Sequence, residues 1–121
     1  MDIQYEQNIG YVAIDILKYP DTLMGIYTHK TSVTNDYEPG FFSFREGPPL
    51  LDAINSITKT YDILPNLLII DGHGIAHPRK FGVASYLGVY TNLPSIGVAK
   101  NTLLKYEGEL GNERGSILPI F

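Results

Sequence analysis

The sequence predicts an α/β domain built on a mixed sheet, and three observations carry that prediction. The first 33 residues read as extended chain, the apolar positions after them fall at helical spacing, and two short unbroken apolar runs come later, separated by a second helical stretch. Three antiparallel strands followed by β-α-β-α-β order describe a sheet with parallel neighbours and helices packed on it.

In chain order, Asp2 to Glu6 is a short first strand, broken from the next by Asn8 and Gly10. Val12, Ile14 and Ile16 alternate with Ala13, Asp15 and Leu17, the period-two pattern of a half-buried strand. Tyr19-Pro20-Asp21 makes the turn, because Pro fixes φ and Asp bonds back to the backbone. A third strand runs from about Leu23 to Val33. Leu50, Leu51, Ile54 and Ile57 mark a helix, with Pro48 or Pro49 in its first turn and Pro65-Asn66 after its end. Leu67 to Ile70, bounded by Asp71-Gly72, is a buried parallel strand. Phe81 to Tyr90 carries a second helix, and Ser95 to Ala99 a last short buried strand. Beyond Lys100, Gly108, Gly111, Gly115 and Pro119 interrupt any long element.

At 121 residues the chain is one domain, spanning 1–121, large enough to bury a core without staples. It has no Cys, which excludes disulfides, thiolate metal sites and a cysteine nucleophile. Met1 is followed by Asp2 and Glu6 with no basic and apolar leader, and no apolar run is long enough to span a bilayer. The expectation is a cytoplasmic protein with no membrane partner. A net charge of −4 excludes a uniformly basic nucleic-acid binder. The charge is unevenly spread, however. Gly72 to Tyr106 has no Asp or Glu and carries Arg79, Lys80, Lys100 and Lys105, so this stretch is +4 and the remainder is −8.

That basic stretch begins where chemistry is expected. Asp71 sits at the carboxyl end of a predicted central strand, where open α/β sheets bind ligands. Gly72-His73-Gly74-Ile75-Ala76-His77-Pro78-Arg79-Lys80 then places two glycines, for close backbone approach, before two His and two cations. An acidic strand tip followed by cations suits a polyanion held against a metal. Taken alone, the same residues also describe an ordinary strand-to-helix turn capped by Asp.

Three strings together resemble the endonuclease V family. They are Tyr37-Glu38-Pro39-Gly40-Phe41-Phe42-Ser43-Phe44-Arg45-Glu46, Asp71-Gly72-His73-Gly74-Ile75-Ala76-His77-Pro78-Arg79 and Gly97-Val98-Ala99-Lys100, with Asp2-Ile3-Gln4-Tyr5-Glu6-Gln7 and Lys18-Tyr19-Pro20 in support. The resemblance covers nearly the whole chain in order. It implies a ribonuclease H-like fold and Mg²⁺- or Mn²⁺-dependent cleavage of nucleic acid near inosine, in DNA and, in some members, RNA. Carried over by position, it implies that Asp2, Glu46 and Asp71 hold the metal and that His77 and Lys100 complete the catalytic set. Tyr37, Pro39 and Gly40 fall on the strand-separating wedge. Gly72, His73, Gly74 and Arg79 fall on the lesion-pocket segment.

The chain also departs from the family. It starts one residue before Asp2 and stops soon after Lys100, so it is expected to be a shortened member lacking the usual terminal portions. Asp36 and Glu38 flank Tyr37, where acids oppose a duplex. Asp15 is an acid on a strand that the resemblance makes apolar. A stripped sheet exposes edge and apolar surface, which predicts a homo-oligomer, most simply a dimer. A second reading keeps the fold with weak or absent catalysis, as a module that binds nucleic acid or protein.

Overall fold

The computed structural model describes residues 1–19, 22–32 and 42–120, with backbone alone for 42–45. The three predicted strands are β1 (Asp2–Glu6), β2 (Ile9–Lys18) and β3 (Thr22–Ser32), paired antiparallel in the order β1-β2-β3. After them come α1 (Phe42–Tyr61), β4 (Leu68–Asp71), α2 (Val83–Thr91) and β5 (Ser95–Val98), with β4 and β5 parallel. This is the predicted order of elements, but β4 and β5 are not the buried strands expected: Ile69 of β4 and Ile96 and Val98 of β5 are exposed, because the described helices cover one face only.

Two backbone hydrogen bonds join the strand pairs. The Met1 ammonium donates to the Ile69 carbonyl at 3.3 Å, and the Asp71 amide donates to the Met1 carbonyl at 3.1 Å. Bonds to and from one residue that bracket its opposite number are the signature of a parallel pair, here Met1 opposite Ile70. The strands therefore run β3-β2-β1-β4-β5 as one mixed sheet.

Alternation sends Ile3, Val12, Ile14, Leu68 and Ile70 to one face, where they are buried. Both helices cover that face. Leu50, Ala53, Ile54 and Ile57 of α1 and Val83, Ala84 and Leu87 of α2 complete a single core. On the edge strand, His29 meets Asp52 of α1 at 2.9 Å, so it is a surface pairing residue. Asp52 is held below its usual pKa, chiefly by that bond.

Three boundaries differ from expectation. Gly10 is paired inside β2 opposite Tyr5, and the break falls at Gln7-Asn8, with Gln7 at φ 56°. The helix predicted to start at Pro48 or Pro49 starts at Phe42, so both prolines and Glu46 lie inside it. Proline removes backbone donors, but burial of Leu50, Ala53, Ile54 and Ile57 holds the helix through the gap. The second helix starts at Val83 rather than Phe81, because Gly82 is extended at φ −76° and ψ 179° and forms its N-cap. Each helix ends at a left-handed polar residue. Asp62 (φ 53°) follows α1, with the Ile63 amide bonded to the Thr58 carbonyl, and Asn92 (φ 56°) closes α2.

Candidate functional site

The pairing of Met1 with Ile70 sets the next residues, Asp2 and Asp71, opposite each other on adjacent strands. Ile3 and Ile70 are buried, so Asp2 and Asp71 face the side of the sheet that no helix among the described residues covers, and both are exposed. The structure thus brings together two acids that are 69 positions apart in sequence. One oxygen of Asp2 accepts the Ile3 amide at 2.8 Å.

The chain leaves Asp71 through the glycine loop and climbs into α2. The Gly72 amide donates to the Val98 carbonyl at 2.8 Å, extending the β4–β5 ladder by one step. The loop then folds back on itself, with Gly82 bonded to the Gly74 carbonyl and Ala84 to the His73 carbonyl, at 2.9 and 3.0 Å. Gly82 and Gly97 make this closeness possible. A Cβ on Gly82 would collide with the His73 carbonyl, and one on Gly97 with the Gly72 carbonyl.

Inside the loop His77 is buried, and its Nδ1 accepts the Arg79 amide at 3.1 Å. Burial lowers its pKa first, and the charges of His73 and Arg79 lower it further. With Nδ1 used as an acceptor, the neutral ring carries its proton on Nε2. His73 donates from Nε2 to the Asn101 carbonyl at 2.8 Å, which ties the loop to the segment that carries Lys100. Lys100 is exposed two residues beyond β5, and Arg79 is exposed in the loop.

Glu46 is buried in α1, immediately before Gly47. A Cβ on Gly47 would land on the Tyr86 ring, so the two helices touch directly beside this acid. Among the described residues no three His, Asp or Glu gather tightly enough to hold one ion, so Glu46 does not join Asp2 and Asp71 in a ready cluster. Two exposed carboxylates in register still match Mg²⁺ chemistry, since that ion takes one or two carboxylates and keeps several waters. Tyr37, Pro39 and Gly40, expected in the wedge, lie outside the described residues. Two contacts were not foreseen from sequence. A carbonyl such as that of Asn101 has no side-chain signal, whereas the Gly47 contact had one in the glycine inside Glu46-Gly47-Pro48.

No helix among the described residues is long and apolar enough to cross a membrane. The Endonuclease V family profile matches residues 1–121. An endonuclease V of Nostoc punctiforme is 44% identical over 124 residues, taking in 99% of this chain and 53% of that protein. One from Xanthomonas campestris is 47% identical over 110 residues, taking in 89% of this chain and 45% of the other. The crystal structure of the Streptomyces avermitilis endonuclease V superposes with a TM-score of 0.82 at 38% identity, covering 99% of this chain and 52% of that one. The Ciona intestinalis enzyme, solved with a 23mer DNA containing an inosine followed by a ribo-adenosine, superposes at 0.74 with 29% identity, covering 84% and 44%. The chain thus spans about half the length of the curated relatives it matches.

Proposed function

The chain belongs to the endonuclease V family, and from that premise we propose that it is a Mg²⁺- or Mn²⁺-dependent endonuclease cutting nucleic acid near inosine. The observation that carries this reading is the in-register pair Asp2 and Asp71 at the carboxyl end of β4, beside the glycine loop. A bound divalent ion supplies a polarised water as nucleophile and neutralises charge on the phosphate.

Asp2 and Asp71 supply oxygen ligands, and Glu46 is the third carboxylate in the proposal. Lys100 offers a compact positive charge to a phosphate oxygen or to the attacking water. Neutral His77 holds its proton on Nε2, as a donor toward the scissile group. Gly72, His73 and Gly74 present backbone to an inosine turned out of the stack, a step that costs least at a mispaired base. Arg79 stands beside them as a phosphate partner, and Tyr37, Pro39 and Gly40 act as the wedge. The substrate is inosine-containing DNA or RNA, the setting is the cytoplasm, and association of two copies belongs to the same proposal.

A nicking assay on inosine oligonucleotides with Mg²⁺ or Mn²⁺ tests this, with Asp71→Ala as control. Cleavage next to inosine that the control loses is expected, and no nicking of DNA or RNA with either metal overturns it. One competing reading is a nucleic-acid- or protein-binding module with weak or absent catalysis, and the observation on its side is that no three His, Asp or Glu among the described residues are grouped to hold one ion. Titration calorimetry separates the two. Site-specific Mg²⁺ binding lost in Asp71→Asn supports the enzyme, and its absence supports the module.

A further inference from the structure

Two residues past Asp71, His73 is fixed through its backbone. Its carbonyl accepts the Ala84 amide of α2 at 3.0 Å, and the Gly72 amide just before it donates to the Val98 carbonyl at 2.8 Å. From that anchored position its half-buried ring reaches the Asn101 carbonyl at 2.8 Å, across a separation of 28 positions. A carbonyl only accepts, so Nε2 is the donor. Among the described residues, no other hydrogen bond ties residues 99–107 to the rest of the chain. Lys100 lies inside that stretch, exposed, in backbone that belongs to no helix or strand.

We propose that the His73 side chain is a positioning residue for Lys100, holding the backbone that carries this cation in a fixed place relative to Asp71. Through the bond, the path from Asp71 to Lys100 passes only Gly72, His73 and Asn101. A lysine carries its charge on a flexible four-carbon stem, so an anchored backbone is what limits where the ammonium goes. A misplacement of about 1 Å at such a group costs on the order of 10²-fold in rate. The inference rests on the reading of Lys100 as the cation that meets the phosphate or the attacking water. That reading uses the backbone of His73, whereas the positioning role belongs to its side chain. The role needs a hydrogen-bond donor at the reach of Nε2. Glutamine supplies one from its carboxamide nitrogen, and leucine and alanine do not. The same comparison removes a second effect of His73, whose charge helps to lower the His77 pKa. Gln, Leu and Ala all abolish that charge, so a difference among them reports the donor alone.

Two measurements test it on the 121-residue chain. The first is backbone ¹⁵N relaxation of residues 99–103, which needs no turnover and whose dispersed spectra also report folding. Order parameters there are expected to fall in His73→Leu and His73→Ala and to stay at the parent level in His73→Gln. The second is nicking of an inosine oligonucleotide with Mg²⁺ or Mn²⁺. His73→Leu and His73→Ala are expected to lower kcat about tenfold with KM nearly unchanged, the low end of what removing an orienting partner costs. His73→Gln is expected to recover most of that rate. In a Lys100→Ala background, His73→Leu is expected to cost nothing further, because it acts only through the lysine. A parent that nicks nothing overturns the cleavage reading, and the relaxation data then decide the positioning by themselves. Unchanged order parameters without the donor, a Gln variant as slow as Leu, or a tenfold loss that persists without Lys100 each overturns the proposal.

Discussion

The same five strands present two faces that differ in almost every respect. On one, Ile3, Val12, Ile14, Leu68 and Ile70 lie beneath two helices, with Leu50, Leu87, Ile70, Val12 and Val83 all but sealed from water. On the other, Leu17, Met24, Ile26, Ile69 and Ile96 lie 47–64% exposed around Asp2, Asp15 and Asp71. Parallel strands normally carry cover on both faces. The covered face holds the domain together, and the open face carries the carboxylates proposed to hold a metal, set among apolar side chains left in contact with water.

The largest effects that test this contrast come from paired truncations. Leu87→Ala and Ile70→Ala remove side chains that are 0% and 1% exposed. Each is expected to cost about 2–5 kcal/mol of unfolding free energy. Ile69→Ala, one residue from Ile70 and 47% exposed, is expected to cost less than about 1 kcal/mol, within the range of ordinary surface changes. Urea titrations of the three variants measure this, and equal costs at Ile69 and Ile70 would abolish the distinction between the faces.

A smaller loss is expected from Gly47→Ala, which pushes a methyl into the Tyr86 ring where the helices meet. Overpacking of this kind costs about 1–3 kcal/mol. Differential scanning calorimetry reads it, and an unchanged melting temperature would show that the ring moves freely aside.

Acid acts on the loop between β4 and α2 through His77. Its folded pKa lies below the ordinary value of 6.5, so the unfolded chain takes up the proton first as pH falls. The stability this contributes is complete above about pH 6.5 and drains away as pH drops through the lower folded value. Thermal melts between pH 7.5 and 5 are expected to fall more steeply for the parent than for His77→Gln, and parallel profiles would contradict the assignment.

The smallest change has the opposite sign. Two carboxylates directly opposite on neighbouring strands repel, so without divalent ions Asp71→Asn is expected to raise stability by about 0.2–1 kcal/mol. Chemical denaturation in chelator tests it, and a loss of stability would mean that the pair is not held in register.

The strands and helices of the covered face were legible because burial writes a period into the sequence, as in Val12-Ala13-Ile14-Asp15-Ile16 or Leu50, Leu51, Ile54 and Ile57. The start of α1 was not. Pro48 and Pro49 mark a first turn in most helices, and here tertiary packing carries the helix past them. For the site, Asp71-Gly72 announced a strand tip, but nothing local links Met1 to Ile70. That parallel pairing joins the two ends of a 69-residue separation, and only family resemblance put Asp2 beside Asp71 beforehand. The role of His73 in bracing the Lys100 segment escaped because its partner is a backbone oxygen.

The hydrogen bond from the Asp71 amide to the Met1 carbonyl also serves as a gauge. It exists only while Met1 lies against β4, the arrangement that sets the two carboxylates side by side. Segments in contact with water open more often than a sealed core does. The exchange of this one amide proton with deuterium therefore reports how much of the time the carboxylate pair is assembled. It can be followed without substrate, metal or turnover, and on a clock separate from the slower exchange of the helix-covered interior.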